Sequence, residues 1–243
     1  MKRILIPTFG PCRWRGLLAD PNKQWKRTCS AFELAMSWEG AQRSSGGCGL
    51  PSEVAAVLDA VPTLKNAELV FASPEHQVQL NTARAPSQTD LWALLRAERG
   101  FISLGVEGKA GEPFAKTVTD WLKKDNQPEG RIARLKWLCH KLNVGDSEAE
   151  CGSLRYQLFH RTVSALLEAT RCGASSAVML VQAFPGAETS WDDFGRFCEY
   201  LGVGVEPGRL VPVPSQREPQ LYVGWVSSLC ASDAEIAAIM ADD

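Results

Sequence analysis

Apolar positions along the chain change their period several times, and each change marks an element. AFELAMSWEGA carries apolar residues at helical spacing behind an S-x-x-E box made by Ser30 and Glu33, which predicts a helix over 30–41. SEVAAVLDAV predicts a second short helix with Ser52 as its cap. ELVFAS reads as a short strand, and PEHQVQLNTARAPSQ as a polar connection. DLWALLRA and GFISLGVEG read as two strands joined by a tight turn around Glu98-Arg99-Gly100.

Beyond that hairpin the period returns to helical. FAKTVTDWLKK and RIARLKWLCHKL predict helices split by DNQPEG, and LRYQLFHRTVSALLEATR is the longest helical pattern. SAVMLVQAF is almost wholly apolar, as a strand buried on both faces should be. WDDFGRFCEYLG predicts a helix, LYVGWVSS a late strand, and DAEIAAIMA a terminal helix. RILIPTF near the start reads as a short strand. The expected fold class is α/β, with one mixed central sheet flanked by helices. It forms a single domain over 1–243, with a core at about 30–185 and elaborations at 1–29 and 186–243.

The chain has 243 residues, 45% hydrophobic and 22% charged, enough to bury a sizeable core. No apolar run is long enough to span a membrane, and MKRILIPTFGPCRWRG lacks the apolar stretch of a secretion signal, so the expectation is a cytoplasmic protein with no membrane partner. The eight cysteines form no CxxC, which argues against structural zinc. Net charge is −2, yet residues 1–60 hold eight Lys/Arg against five acids. A second basic cluster follows at Lys123, Lys124, Arg131, Arg134, Lys136 and Lys141. Each cluster alone reads first as a solvated helix face.

Candidate chemistry gathers at the end of the hairpin. A two- or four-residue loop centred on Glu98 and Arg99 makes paired residues sum to 197, so Arg96 faces Phe101 and Asp90 faces Glu107. Directly opposed residues share a face, with Cβ atoms roughly 4.5–5.5 Å apart. Lys109, two residues on from Glu107, shares that face too. Two opposed carboxylates repel and need a compensating charge. Mg²⁺ is often held by one or two carboxylates plus substrate phosphate, and a lysine beside it can steady charge developing on phosphorus.

Asp90…Glu107-Gly108-Lys109 resembles the signature of the PD-(D/E)XK nuclease superfamily. That superfamily has a restriction-endonuclease-like αβββαβ core, with its aspartate opening the second strand and its E-x-K ending the third. The elements above match that order over roughly 30–185, although Thr89 stands where the superfamily's name places proline. The chain is also similar to a group of bacterial proteins with VEGK-x-x-EPF and RYQL-x-HRT motifs, here Val106–Phe114 and Arg155–Thr162.

The resemblance implies a Mg²⁺- or Mn²⁺-dependent nuclease acting on DNA. Asp90 and Glu107 would bind metal, with Glu39 from the first helix added to the metal shell, and Lys109 would position or activate water. Gln157 and Arg161, on the helix after the E-x-K strand, would support the lysine or the scissile phosphate. His160 and Arg155 would contact substrate. Gln157, His160 and Arg161 share a stripe at spacings of three and four, which equally suits a polar helix face under a loop. His160 also reads as a hydrogen-bonded structural residue, and Glu112 as a late metal ligand or a solvated turn charge.

A homodimer that cuts both strands belongs to the same expectation. The alternative is a catalytically inactive module of this fold, binding a protein or nucleic-acid partner in a defence or repair system. A small-molecule phosphohydrolase is a third reading. Trp14 and Trp25, interleaved with Arg13, Arg15, Lys26 and Arg27, suit a flexible nucleic-acid contact. The other tryptophans read as core.

Overall fold

The computed structural model of the chain describes residues 10–43, 47–81, 85–123 and 129–241. The strand expected at RILIPTF lies outside them. In chain order the helices α1 (Pro11–Arg15), α2 (Pro21–Gln24), α3 (Ser30–Ala41) and α4 (Ser52–Asp59) precede the strands β1 (Glu68–Val78), β2 (Ser87–Ala97) and β3 (Gly100–Lys109). Then come α5 (Val118–Lys123), α6 (Glu129–Leu142), α7 (Glu148–Cys151), α8 (Tyr156–Cys172) and β4 (Ser176–Ala183). The chain closes with α9 (Trp191–Tyr200), β5 (Arg209–Arg217), β6 (Gln220–Ser227) and α10 (Asp233–Met240).

The strands form one six-stranded mixed sheet in the order β1-β2-β3-β4-β6-β5. β1, β2 and β3 are an antiparallel meander, β4 runs parallel to β3 and to β6, and β5 is antiparallel to β6. Side chains alternate between two apolar layers. Leu91, Ala93, Leu95, Ile102, Leu104, Val106, Val178 and Leu180 face α3, α4 and Ile239 of α10. Ala177, Met179, Val181 and Val223 face α6, α8 and α9. β4 is buried along its whole length, as its unbroken apolar run predicts. Full burial of a side chain such as Leu104 stabilises the fold by roughly 1.5–3 kcal/mol. No helix among the described residues is long and apolar enough to cross a membrane.

Several boundaries differ from the sequence expectation, each for a local reason. Cys29, not Ser30, is the N-cap of α3, and Glu33 turns its carboxylate back to accept the Thr28 N–H at 2.8 Å. Ser52 likewise lies inside α4, with Pro51 at the cap and its own hydroxyl bonded to Glu53. The segment PEHQV continues β1 and is not a connection. β1 is a sheet edge, where Pro74 and polar residues are tolerated because one side of the strand has no partner strand among the described residues. The opposite edge, β5, hides in the same way behind Pro212 and Pro214. With β6 it makes the 186–243 elaboration part of the sheet.

Two further expectations are corrected. Trp14 is buried and donates its Nε1–H to Glu39 at 3.0 Å, so it is not free to stack on bases, while Trp25 is half-buried and packs at a steep angle to Phe32. Arg134, expected on a solvated face, is buried.

Candidate active site

The hairpin register is the one expected. Leu91 pairs with Val106, Arg96 with Phe101 and Ala97 with Gly100, all summing to 197 and leaving Glu98 and Arg99 as a two-residue loop. Continued by one residue, this register sets Asp90 level with Glu107. The Asp90 carboxylate accepts the Gly108 N–H at 2.9 Å. Val106 faces α3, so Glu107 and Lys109 face α8. Gly108 points the other way, where a Cβ would sit 3.3 Å from Ser30 Cβ. A small residue between the glutamate and the lysine therefore lets α3 pack close behind the site.

Helix α8 brings the remaining groups. Lys109 Nζ donates to Glu107 Oε1 at 2.8 Å and lies 4.8 Å from the centre of the Phe114 ring. Gln157 Nε2 donates to the same glutamate oxygen, and its own Oε1 accepts the Ala115 N–H. Arg161 Nε donates to Glu107 Oε2 at 2.6 Å, and its NH2 lies 3.6 Å from Asp90 Oδ1. Glu107 and Lys109 are only 2% and 4% exposed. The cluster lines a cleft of about 540 Å³, walled on one side by the segment that carries Lys23, Gln24 and Ser30.

The electrostatics are uneven. Burial, together with Glu107, pushes the Asp90 carboxyl well above its ordinary range, against Arg161. Burial works to raise Glu107 as well, but Lys109 and Arg161 outweigh it and hold that carboxyl below its ordinary value. For Lys109, burial works to depress the ammonium, yet Glu107 and Asp90 raise it.

Four carboxylates (Glu75, Asp90, Glu107, Glu112) and three cations (Lys23, Lys109, Arg161) line the cleft, an excess of one negative charge when all are ionised. Glu112 Oε1 is buried with no hydrogen-bond partner among the described residues. Among those residues no group of three or more His, Cys, Asp or Glu is placed so that it could hold a metal ion by itself. The protein would supply Asp90 and Glu107 and leave other positions to water and substrate, the usual arrangement for Mg²⁺.

Not every candidate residue reaches the cleft. Glu39 does not line it, because its carboxylate is turned toward Trp14 inside the α3 layer. Arg155 does not line it either. Its Nε is bound to Asp193 at 2.7 Å and its NH1 to Ala115 O at 3.3 Å. Consecutive residues on a helix diverge by about 100°, so Arg161 enters the cleft while His160 turns to a neighbouring pocket, its Nδ1 2.8 Å from Ser87 Oγ. Burial, with Arg161 and Arg134, keeps His160 well below the ordinary histidine range.

Glu75 is the cleft residue that sequence reasoning missed. It sits in β1 between Pro74, paired with Leu91, and His76, paired with Thr89, hence level with Asp90. Its φ of 51° is left-handed, and its carboxylate accepts Gln88 Nε2 at 2.6 Å. Burial raises its carboxyl, against the hydrogen bond from Gln88. The only sequence signal was a lone acid in a polar stretch.

No curated protein and no solved structure matches the chain. A protein-family model does, over residues 7–230, and the chain belongs to that family, Domain of unknown function (DUF6946).

Proposed function

We propose that the chain is a metal-dependent phosphodiester hydrolase of the PD-(D/E)XK type, acting on DNA. The observation that carries this reading is the convergence of Asp90, Glu107, Lys109 and Gln157 on one face of one sheet end. The element order α3-β1-β2-β3-α8-β4, with β4 parallel to β3, supports it. Asp90 and Glu107 would hold Mg²⁺ or Mn²⁺, which when bound supplies positive charge at the phosphate and lowers the pKa of water. Lys109 meets the negative charge that grows on the phosphoryl oxygens. Gln157 fixes the Glu107 carboxylate from the α8 side. Arg161 buttresses both acids and orients their outer oxygens. Water adds across the P–O3′ bond, and the 3′ oxygen leaves with a proton.

One observation favours a second reading, a catalytically inactive module that binds a nucleic-acid or protein partner. Arg161 reaches both acids and supplies internally part of the charge a cation would bring. Cleavage of plasmid and single-stranded DNA with Mg²⁺ or Mn²⁺, against EDTA, separates the two readings. The hydrolase reading expects metal-dependent cutting that falls at least about a hundredfold in Lys109→Ala. Intact DNA under every condition, with no metal bound near Asp90 and Glu107, would hand the site to the binding module.

A further inference from the structure

A second pocket, of about 390 Å³, lies between α5, α6 and the start of α8. Ser87, Trp121, Arg131, Arg134, Tyr156 and His160 line it, and no acid among the described residues does. Arg134 is 94% buried, being 6% exposed. It donates from NH2 to Ala85 O at 3.0 Å, while its Nε is buried with no hydrogen-bond partner among the described residues. None of the ion pairs formed among those residues includes it. A guanidinium cannot shed its proton, and a buried charge without a counter-charge is destabilising. An anion in the pocket would offset that cost.

The wall is stiff. Trp121 stacks on Tyr156 with centroids 3.7 Å apart, and the Arg131 guanidinium lies 5.3 Å from the Trp121 ring. These contacts hold a second cation at the pocket. His160 faces the same space from α8, and Ser87 stands between it and the cleft. The Ser87 hydroxyl is 2.8 Å from His160 Nδ1 and accepts from Arg161 NH1 at 3.3 Å. One serine thus separates the Arg134 pocket from the guanidinium that touches Asp90 and Glu107.

We infer that this pocket is a phosphate subsite, in which the Arg134 fork takes a phosphate of the same nucleic-acid strand that enters the cleft. The inference rests on the hydrolase reading for its ligand, and on the buried, unpaired guanidinium for its existence. A strand carries a phosphate at every nucleotide, so one that offers its scissile phosphate to the cleft offers a neighbour beyond it. Arginine suits this role because its planar donors match phosphate oxygens in pairs.

The test measures binding of a fluorescent single-stranded oligonucleotide across a salt series, in EDTA, for the wild type, Arg134→Gln and Arg134→Lys. Arg134→Gln is expected to weaken binding about tenfold and to flatten the log–log salt slope by about 0.7, with Arg134→Lys restoring part of both. Unchanged affinity and slope in a folded Arg134→Gln would overturn the subsite. Should that variant fail to fold, the wild type decides, since inorganic phosphate is expected to raise its melting temperature and indifference to phosphate overturns the site. A rise with phosphate, but oligonucleotide binding that ignores Arg134, would mean a free phosphate ligand and overturn the strand assignment. Arg134-dependent oligonucleotide binding without cleavage would sink the hydrolase reading and leave the subsite standing. Cleavage with Arg134-independent binding would do the reverse.

Discussion

Asp90 carries a charge that its surroundings oppose, since burial and Glu107 both favour its protonated form. An acid with a raised folded pKa binds its proton more tightly when folded, so it adds stability below that pKa and loses it as pH rises through it. Asp90→Asn keeps the acceptor for Gly108 N–H and removes the charge. In EDTA at neutral pH it is expected to stabilise the protein by about 1 kcal/mol, or about 2–4 °C in melting temperature. Mg²⁺ should raise the melting temperature of the wild type and not of the variant. A destabilised Asp90→Asn would show that the carboxylate is better compensated than its neighbours suggest.

His160 gives the opposite sign. Its folded pKa is depressed by burial, Arg161 and Arg134, so its contribution is present above about pH 6.5 and is lost as pH falls below it. Between the unfolded and folded pKa values, stability should fall about 1.4 kcal/mol per pH unit more steeply in the wild type than in His160→Gln, as followed by urea unfolding at a series of pH values. At this scale the sequence was informative for Asp90, Glu107 and Lys109, whose spacing fixes face and register together. It was silent on Glu75 and misleading on Glu39, because their placement depends on which strand lies alongside and which tryptophan lies above.

The elements were legible where their pattern was long and their edges covered. α8, with its apolar stripe and Gly173 in the left-handed conformation at its end, was read within two residues at each end. The β2–β3 hairpin was read in register. Of the two edge strands, β1 was read only over ELVFAS and β5 was not read, since prolines and polar residues there break the alternation that marks a strand.

Apolar β4 conceals one polar residue that ties three elements together. Gln182 Oε1 accepts Trp38 Nε1, and its Nε2 donates to Ser37 Oγ and Ser228 Oγ, each at 3.0 Å. Gln182→Leu leaves the Trp38 donor unsatisfied in the core and should cost about 1–3 kcal/mol in denaturant unfolding. Trp38→Phe in the same background should recover part of it. Gly224 sets the approach of β5 to β6, because a Cβ there would lie 2.5 Å from Arg209 O. Gly224→Ala is therefore expected to destabilise by about 1–3 kcal/mol as that strand is pushed outward.

Across the whole molecule, charge is distributed against simple attraction of DNA. The net charge is −2, and the cleft itself holds one more acid than cation when ionised. The Arg134 pocket is lined by cations, with no acid from the described residues. A polyanion approaching the cleft therefore meets repulsion at Asp90 and Glu75 and attraction beside it. A divalent cation held by Asp90 and Glu107 would reverse the sign at the point where the strand must come closest. Nucleic-acid binding should accordingly depend on the ion and not only on the basic residues. With Ca²⁺ in place of Mg²⁺, at constant ionic strength, the oligonucleotide is expected to bind about tenfold or more tightly than in EDTA. Asp90→Asn should erase that difference, while Arg134→Gln should weaken binding in both conditions and preserve it. Fluorescence anisotropy with the three proteins, with and without Ca²⁺, reads all of these at once. Equal affinity for the wild type in Ca²⁺ and EDTA would mean that Arg161 already balances the acids, and the cleft would then be a charge-neutral docking site and not a metal-dependent one.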